Sequence, residues 1–212
     1  MKKYDNFYFI IGNAYAGKST MLKMLAEKYN GILCEENFAD RLVDEHLSKV
    51  DFPALTYTRD LKDFRDFIRR TPDEYEAWVN ECIKECTILE LKILEEYVNS
   101  DKLVFVDTNI SVEKLKEISD KSHVLVMLND PKESVIRFFE REDREKQMMY
   151  QLLMTEPNPK EAMDNFRKCL ERINSQENYD ALLNSGFNVL KRDDSRTLVE
   201  TLGLVEEYFK LK

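Results

Sequence analysis

The chain has 212 residues, of which 43% are hydrophobic and 34% charged, with a formal net charge of −9. That length suffices for one domain with a full core, and the composition is that of an ordinary soluble globular protein. The acidic balance argues against a nucleic-acid groove, which needs clustered Lys and Arg, and no apolar run approaches the roughly 20 residues that span a bilayer.

The first apolar run, Phe7–Ile11, is too short for the core of a secretion signal and reads as a buried strand. With no targeting segment legible, the expectation is a cytoplasmic protein, monomer or homodimer, with neither nucleic-acid nor membrane partners. The run leads into Gly12-Asn13-Ala14-Tyr15-Ala16-Gly17-Lys18-Ser19, which fits G-x-x-x-x-G-K-[ST], and then into an amphipathic helix over Thr20–Tyr29. Strand, loop and helix form the context in which this motif holds phosphate. The glycines let the loop turn tightly enough for its N–H groups to point inward, and the helix start adds a favourable field. Only five glycines occur in the chain, and two stand at the required positions. Gly12 to Thr20 is the expected nucleotide-contacting set. Lys18 is expected to reach the terminal phosphates of ATP, and Ser19 to ligate Mg²⁺.

Ile32–Cys34 reads as a second strand and ends on Glu35-Glu36. A carboxylate there is placed to accept a hydroxyl proton. Glu35 is the candidate base and Glu36 its alternative, against the plain reading of two solvated glutamates. From about residue 39 to 99 the chain reads as a helical insertion on the acceptor side. Thr71-Pro-Asp-Glu74 carries a hydroxyl N-cap, proline at the first helical position and a glutamate that closes a capping box. Arg59, Arg65, Arg69 and Arg70 lie in this insertion; one or two are candidates to grip an anionic acceptor, and a solvated charged face is the slightly favoured alternative. Tyr75 and Trp78 read as core. Cys82 and Cys86, at i and i+4 with no nearby His, read as free thiols rather than metal ligands. His123, which opens an apolar strand, reads as structural.

Leu103–Val106 is the third strand, and Asp107 at its end resembles the Walker B carboxylate that organises Mg²⁺. Val124–Leu128 is the fourth strand. Asp130-Pro-Lys-Glu133 then starts a helix on which Arg137, Arg141 and Arg144 fall within a stripe about 60° wide. Such a stripe stabilises the charge of a transferring phosphoryl group; a salt-bridged solvated face is the other reading. Residues 132–160 are read as lid-like, and Asn158-Pro-Lys-Glu161 starts another helix. Phe187–Leu190 is the fifth strand. Strands alternating with helices imply an α/β fold with a mostly parallel sheet covered on both faces.

In its motifs the chain resembles the small P-loop kinase superfamily of nucleoside monophosphate, deoxynucleoside and shikimate kinases. GNAYAGKST is similar to the deoxynucleoside kinase loop, Arg137-x-x-x-Arg141 to the start of an adenylate-kinase-type lid, and Leu190-Lys-Arg192-Asp-Asp to the loop that borders adenine. The resemblance implies one P-loop NTPase domain over residues 1–212 with sheet order 2-3-1-4-5. It also implies that Arg137 and Arg192 lie at the base of the nucleotide and that Arg141 touches its phosphates; with Arg144 on the same stripe, Arg141 is expected to brace the transferred group. The acceptor does not carry over. Asp107-Thr-Asn stands where deoxynucleoside kinases have Glu-Arg-Ser, and neither the Gly-Gly-Gly of shikimate kinases nor the Gly-Phe-Pro-Arg of adenylate kinases is present. The resulting expectation is an ATP-dependent phosphotransferase acting on an unidentified small molecule of nucleoside or nucleotide type. The alternative is a nucleotide-binding regulatory module or slow ATPase.

Overall fold

The computed structural model describes residues 4–140 and 144–211. In chain order its elements are β1 (Phe7–Gly12), α1 (Lys18–Tyr29), β2 (Ile32–Cys34), α2 (Pro53–Tyr57), α3 (Arg65–Ile68), α4 (Pro72–Leu94), β3 (Val104–Asp107) and α5 (Val112–Ile118). There follow β4 (Val124–Leu128), α6 (Pro131–Ile136), α7 (Arg144–Met154), α8 (Pro159–Ile173), α9 (Gln176–Leu183), β5 (Asn188–Lys191) and α10 (Leu198–Phe209). All four strand pairings are parallel, and the sheet order is β2-β3-β1-β4-β5.

Side chains on a strand alternate between faces, and in β1, β3 and β4 both faces are buried, so these central strands read as nearly continuous apolar runs. Phe7, Phe9, Val104, Val106, Val124 and Val126 face one core, closed by the end of α4 with α5 and α9. Tyr8, Ile10, Phe105, Leu125 and Met127 face the other, closed by α1 and α10. The result is three layers, helix on sheet on helix. His123 stacks against Tyr8 with ring centres 4.6 Å apart, and burial lowers its pKa.

The segment between β2 and β3 is helical and builds a core of its own with α7 and α8. Phe67, Tyr75, Phe166, Cys169 and Leu153 are buried there. The Trp78 ring lies edge-on to Phe67 at 4.8 Å, and its indole N–H donates to the Ala54 carbonyl at 3.0 Å. Both aromatic residues of α4 are thus spent on packing. The capping box at Thr71 and Glu74 forms in both directions, and the Asp130 and Asn158 side chains cap α6 and α8. Glu85, 3% exposed, accepts the N–H groups of Ala54 and Leu55 at 3.0 and 2.9 Å. It thereby satisfies the orphan donors at the start of α2, whose N-cap supplies no side-chain bond. Cys82 and Cys86 are free and half-buried, and burial pushes both thiols up to about 12. Among the described residues no helix is long and apolar enough to cross a membrane.

The sequence spacing of Arg137, Arg141 and Arg144 presumed one continuous helix, and the structure corrects this. α6 ends at Ile136, a 3-10 turn covers Phe138–Glu140, and α7 starts at Arg144. Phe138 and Phe139 turn inward against Phe166, at 5.8 and 5.9 Å between ring centres. The turn at Phe138–Glu140 sets both rings against the helical core and takes Arg137 off the axis of α7.

Candidate functional site

The site is organised by the loop between β1 and α1. Gly12 has φ +139°, and a Cβ there would lie 1.8 Å from the Met127 carbonyl oxygen, so β1 can pass this close to β4 only with glycine. Gly17 has φ +94° and caps α1 in the left-handed region. Between them Tyr15 is also left-handed, at φ 61°. The turn leaves a row of donors unused. Among the described residues, the backbone N–H groups of Ala14, Ala16, Gly17, Lys18, Ser19 and Thr20 have no acceptor. The last ones are the orphan donors of the first turn of α1. Lys18 arches over the loop and donates to the Asn13 carbonyl at 3.2 Å, and it has no carboxylate partner among the described residues. A concave set of free N–H groups with an uncompensated ammonium is built to hold an anion.

The loop is braced at both ends. The Asn13 amide donates to the Asn129 carbonyl at 2.7 Å, and its oxygen accepts the Asn129 N–H at 2.8 Å. The Tyr15 hydroxyl donates to the Arg137 carbonyl, and the Arg137 guanidinium lies 4.9 Å from the Tyr15 ring centre. Arg192 donates to the Tyr15 carbonyl at 2.6 Å and pairs with Asp194 at 2.7 Å. Arg137 also pairs with Glu140 at 2.8 Å. Arg137 and Arg192 therefore come together on Tyr15. Arg144 is exposed at the start of α7, away from the loop cavities, and Arg141 lies outside the described residues.

Asp107, 3% exposed, accepts a hydrogen bond from the Ser19 hydroxyl at 2.8 Å. The strand end and the helix start thus place one carboxylate and one hydroxyl side by side. Both are hard oxygen donors, and a Mg²⁺ bound with few protein ligands plus phosphate and water fits such a pair.

Two cavities flank the loop. The larger, about 590 Å³, is lined by Gly12, Asn13, Ala14 and Lys18 from the loop, Glu36 after β2, the Glu76 and Asn80 turn of α4, and the Thr108–Glu113 segment after β3. The smaller, about 220 Å³, lies on the other side, lined by Ala16, Gly17, Thr20, Met127, Leu190 and Arg192. Of the paired glutamates, the one facing the larger cavity is Glu36. Both glutamates are exposed, but Glu35 does not line the cavity, so the turn after Cys34 favours Glu36 over Glu35 as the carboxylate facing it.

The insertion arginines are engaged elsewhere. Arg69 grips Glu156 with two bonds at 2.9 and 3.0 Å, and Arg65 approaches the same carboxylate at 3.4 Å. Arg59 pairs with Asp60 at 3.0 Å, and Arg70 stacks 4.1 Å over the Tyr57 ring. None of the four lines the larger cavity.

One residue that sequence reading missed is Glu90 of α4. It is 3% exposed and accepts hydrogen bonds from the Thr108 hydroxyl and the Asn109 N–H. Burial first, then the neighbouring Asp107 charge, push its carboxyl up to about 7. Glu90 ties the insertion to the segment after β3 that lines the cavity. Its signal was a carboxylate inside the apolar stripe Leu89, Ile93 and Leu94. No protein-family model and no curated protein matches this sequence.

Proposed function

We propose that this chain is a small P-loop kinase that moves the γ-phosphoryl group of ATP to a hydroxyl of a small molecule. The observation that carries the reading is the loop of unused N–H groups and unpaired Lys18 lying between two cavities. Phosphates held on the loop would then be flanked by a pocket on each side. The smaller cavity, bordered by Arg192, takes the base of the nucleotide. The larger takes the acceptor, with Glu36 on its wall.

In the reaction the acceptor oxygen attacks the γ-phosphorus, a new P–O bond forms, and the bond to the β,γ-bridging oxygen breaks to release ADP. Glu36 is placed to take the acceptor's proton. Lys18 and the loop N–H groups hold the β- and γ-phosphates and offset the charge that develops on the leaving ADP. Ser19 and Asp107 would hold Mg²⁺, which when bound neutralises phosphate charge. Arg137 steadies the loop through Tyr15.

Removing the Lys18 charge tests the reading. Lys18→Ala is expected to weaken ATP·Mg²⁺ binding, measured by titration calorimetry, by more than tenfold while leaving the circular dichroism spectrum and thermal midpoint in place, because Lys18 stands outside both sheet cores and its hydrogen bond is to the Asn13 carbonyl of the loop itself. Equal affinity in the variant and the parent would refute it.

A further inference from the structure

We infer that the acceptor cavity selects a donor-rich alcohol carrying no anionic group, such as a polyol, amino alcohol or amino sugar, and refuses phosphate monoesters and carboxylates. This rests on the phosphotransfer reading and decides a question that the sequence left open.

The sign of the cavity wall is the first observation. Lys18 is the one Lys or Arg among the described residues that line it, against the carboxylates of Glu36, Glu76 and Glu113. Lys18 belongs to the donor's phosphates, so it leaves no cation for an anionic acceptor. Glu76 is neutralised by Arg172 at 2.8 Å. Glu36 and Glu113 have no ion-pair partner among the described residues.

The fate of the arginines is the second. Recognition of phosphate or carboxylate relies on guanidinium groups with free N–H donors. The insertion holds five arginines, yet Arg65 and Arg69 are spent on Glu156, Arg59 on Asp60 and Arg41 on Glu96, and Arg70, whose buried Nη1 has no hydrogen-bond partner among the described residues, is packed against Tyr57, Phe67 and Trp78 and does not line this cavity. Releasing Arg69 to meet a substrate would leave Glu156 without its bidentate partner.

The hydrogen-bonding bias of the wall is the third. The side-chain amide nitrogens of Asn174 and Asn178 already donate to the Leu170 and Ile173 carbonyls at 2.9 and 3.1 Å. Their oxygens accept no hydrogen bond among the described residues. With the two unpaired carboxylates, these make a wall rich in acceptors. A ligand rich in O–H or N–H donors satisfies it. An anion brings like charge to the unpaired Glu36 and Glu113, and the side-chain amides and hydroxyls of the wall offer it no cation in compensation.

The test uses the full chain. Binding of the non-hydrolysable analogue AMPPNP with Mg²⁺ is measured first. Then, with AMPPNP bound, saturation-transfer NMR titrations compare matched sets that differ only in charge: glycerol, serinol and glycerol 3-phosphate; glucose, glucosamine and glucose 6-phosphate; adenosine and AMP. The expected result is that in every set that binds, the phosphate ester is about tenfold or more weaker than its uncharged or cationic partner. Replacing both Glu36 and Glu113 by Gln is expected to narrow that gap. A phosphate ester that binds as tightly as its partner would overturn the inference while leaving the phosphotransfer reading intact. So would the absence of binding by every probe at millimolar concentration when AMPPNP binds. Failure of AMPPNP itself to bind would remove both.

Discussion

Glu90 offers the sharpest physical test, because a carboxyl held near 7 inside the protein makes stability depend on pH in a fixed direction. Its folded value of about 7 lies above its ordinary 4.5, and the first cause is burial. The folded state therefore binds a proton that the unfolded chain has already released. The stabilising contribution is fully present below pH 4.5 and is lost as pH rises through about 7. Each tenfold in proton affinity is about 1.4 kcal/mol, so the loss between these limits is about 3 kcal/mol. For a domain of this size that is roughly 6–12 °C in thermal midpoint. Glu90→Gln keeps the shape and the capacity to accept from Thr108 and Asn109 but cannot ionise. Urea denaturation of both proteins across pH 4.5–8.5, in EDTA and without nucleotide, isolates the effect. The variant is expected to gain about 3 kcal/mol on the parent as pH rises from 4.5 to 8. Other titrating groups are common to both proteins and cancel. A difference in stability that stays constant over that range would refute the assignment of a buried, proton-binding Glu90.

Three further outcomes follow from particular contacts. Once an acceptor is in hand, Glu36→Gln is expected to lower kcat by about a hundredfold, whereas Glu35→Gln leaves it near the parent value, read from ADP release; the reverse pattern would return the base to Glu35. Glu85→Ala leaves the Ala54 and Leu55 N–H groups buried without acceptors and is expected to cost roughly 2–4 kcal/mol in urea denaturation, with a loss below about 1 kcal/mol contradicting the capping role. Hydrogen exchange over residues 134–151 is expected to slow when AMPPNP, Mg²⁺ and an acceptor are added together, because Arg137 of that segment already rests on Tyr15 of the loop. Unchanged exchange at saturation would leave Arg137 as a surface ion pair with Glu140.

Most of the sheet was legible in the sequence because its strands are buried on both faces. Ile32–Cys34 and Val124–Leu128 match the observed strands end for end, the first strand runs one residue further to Gly12, and the third and fifth shift by one residue. A strand with both faces covered is apolar at nearly every position, so composition marks the central strands β1, β3 and β4. The helix starts at Thr71, Asp130 and Asn158 were equally plain, because a capping side chain, a proline and a glutamate act within one turn and need no distant partner. The Gly12–Ser19 loop was legible for the same reason, since its glycines are required by backbone conformation.

What the tertiary structure alone decided concerns side chains whose partners lie far away in sequence. Nothing local distinguishes Glu35 from Glu36; the direction of the turn after β2 does. The arginine spacing over 137–144 suits a helix, but the chain leaves α6 at Ile136 and turns at Phe138–Glu140, with both rings against Phe166 of α8. Arg65 and Arg69 looked available until Glu156, some ninety residues later, was seen to hold them. Glu90 has its ordinary chemistry in the sequence and acquires a different one when α4 presses it against Thr108, where water no longer reaches it. Backbone propensity and apolar patterning are set by near neighbours and so survive in one dimension. Charge pairing and desolvation depend on which distant groups the fold brings within a few ångströms, and only the folded chain specifies them.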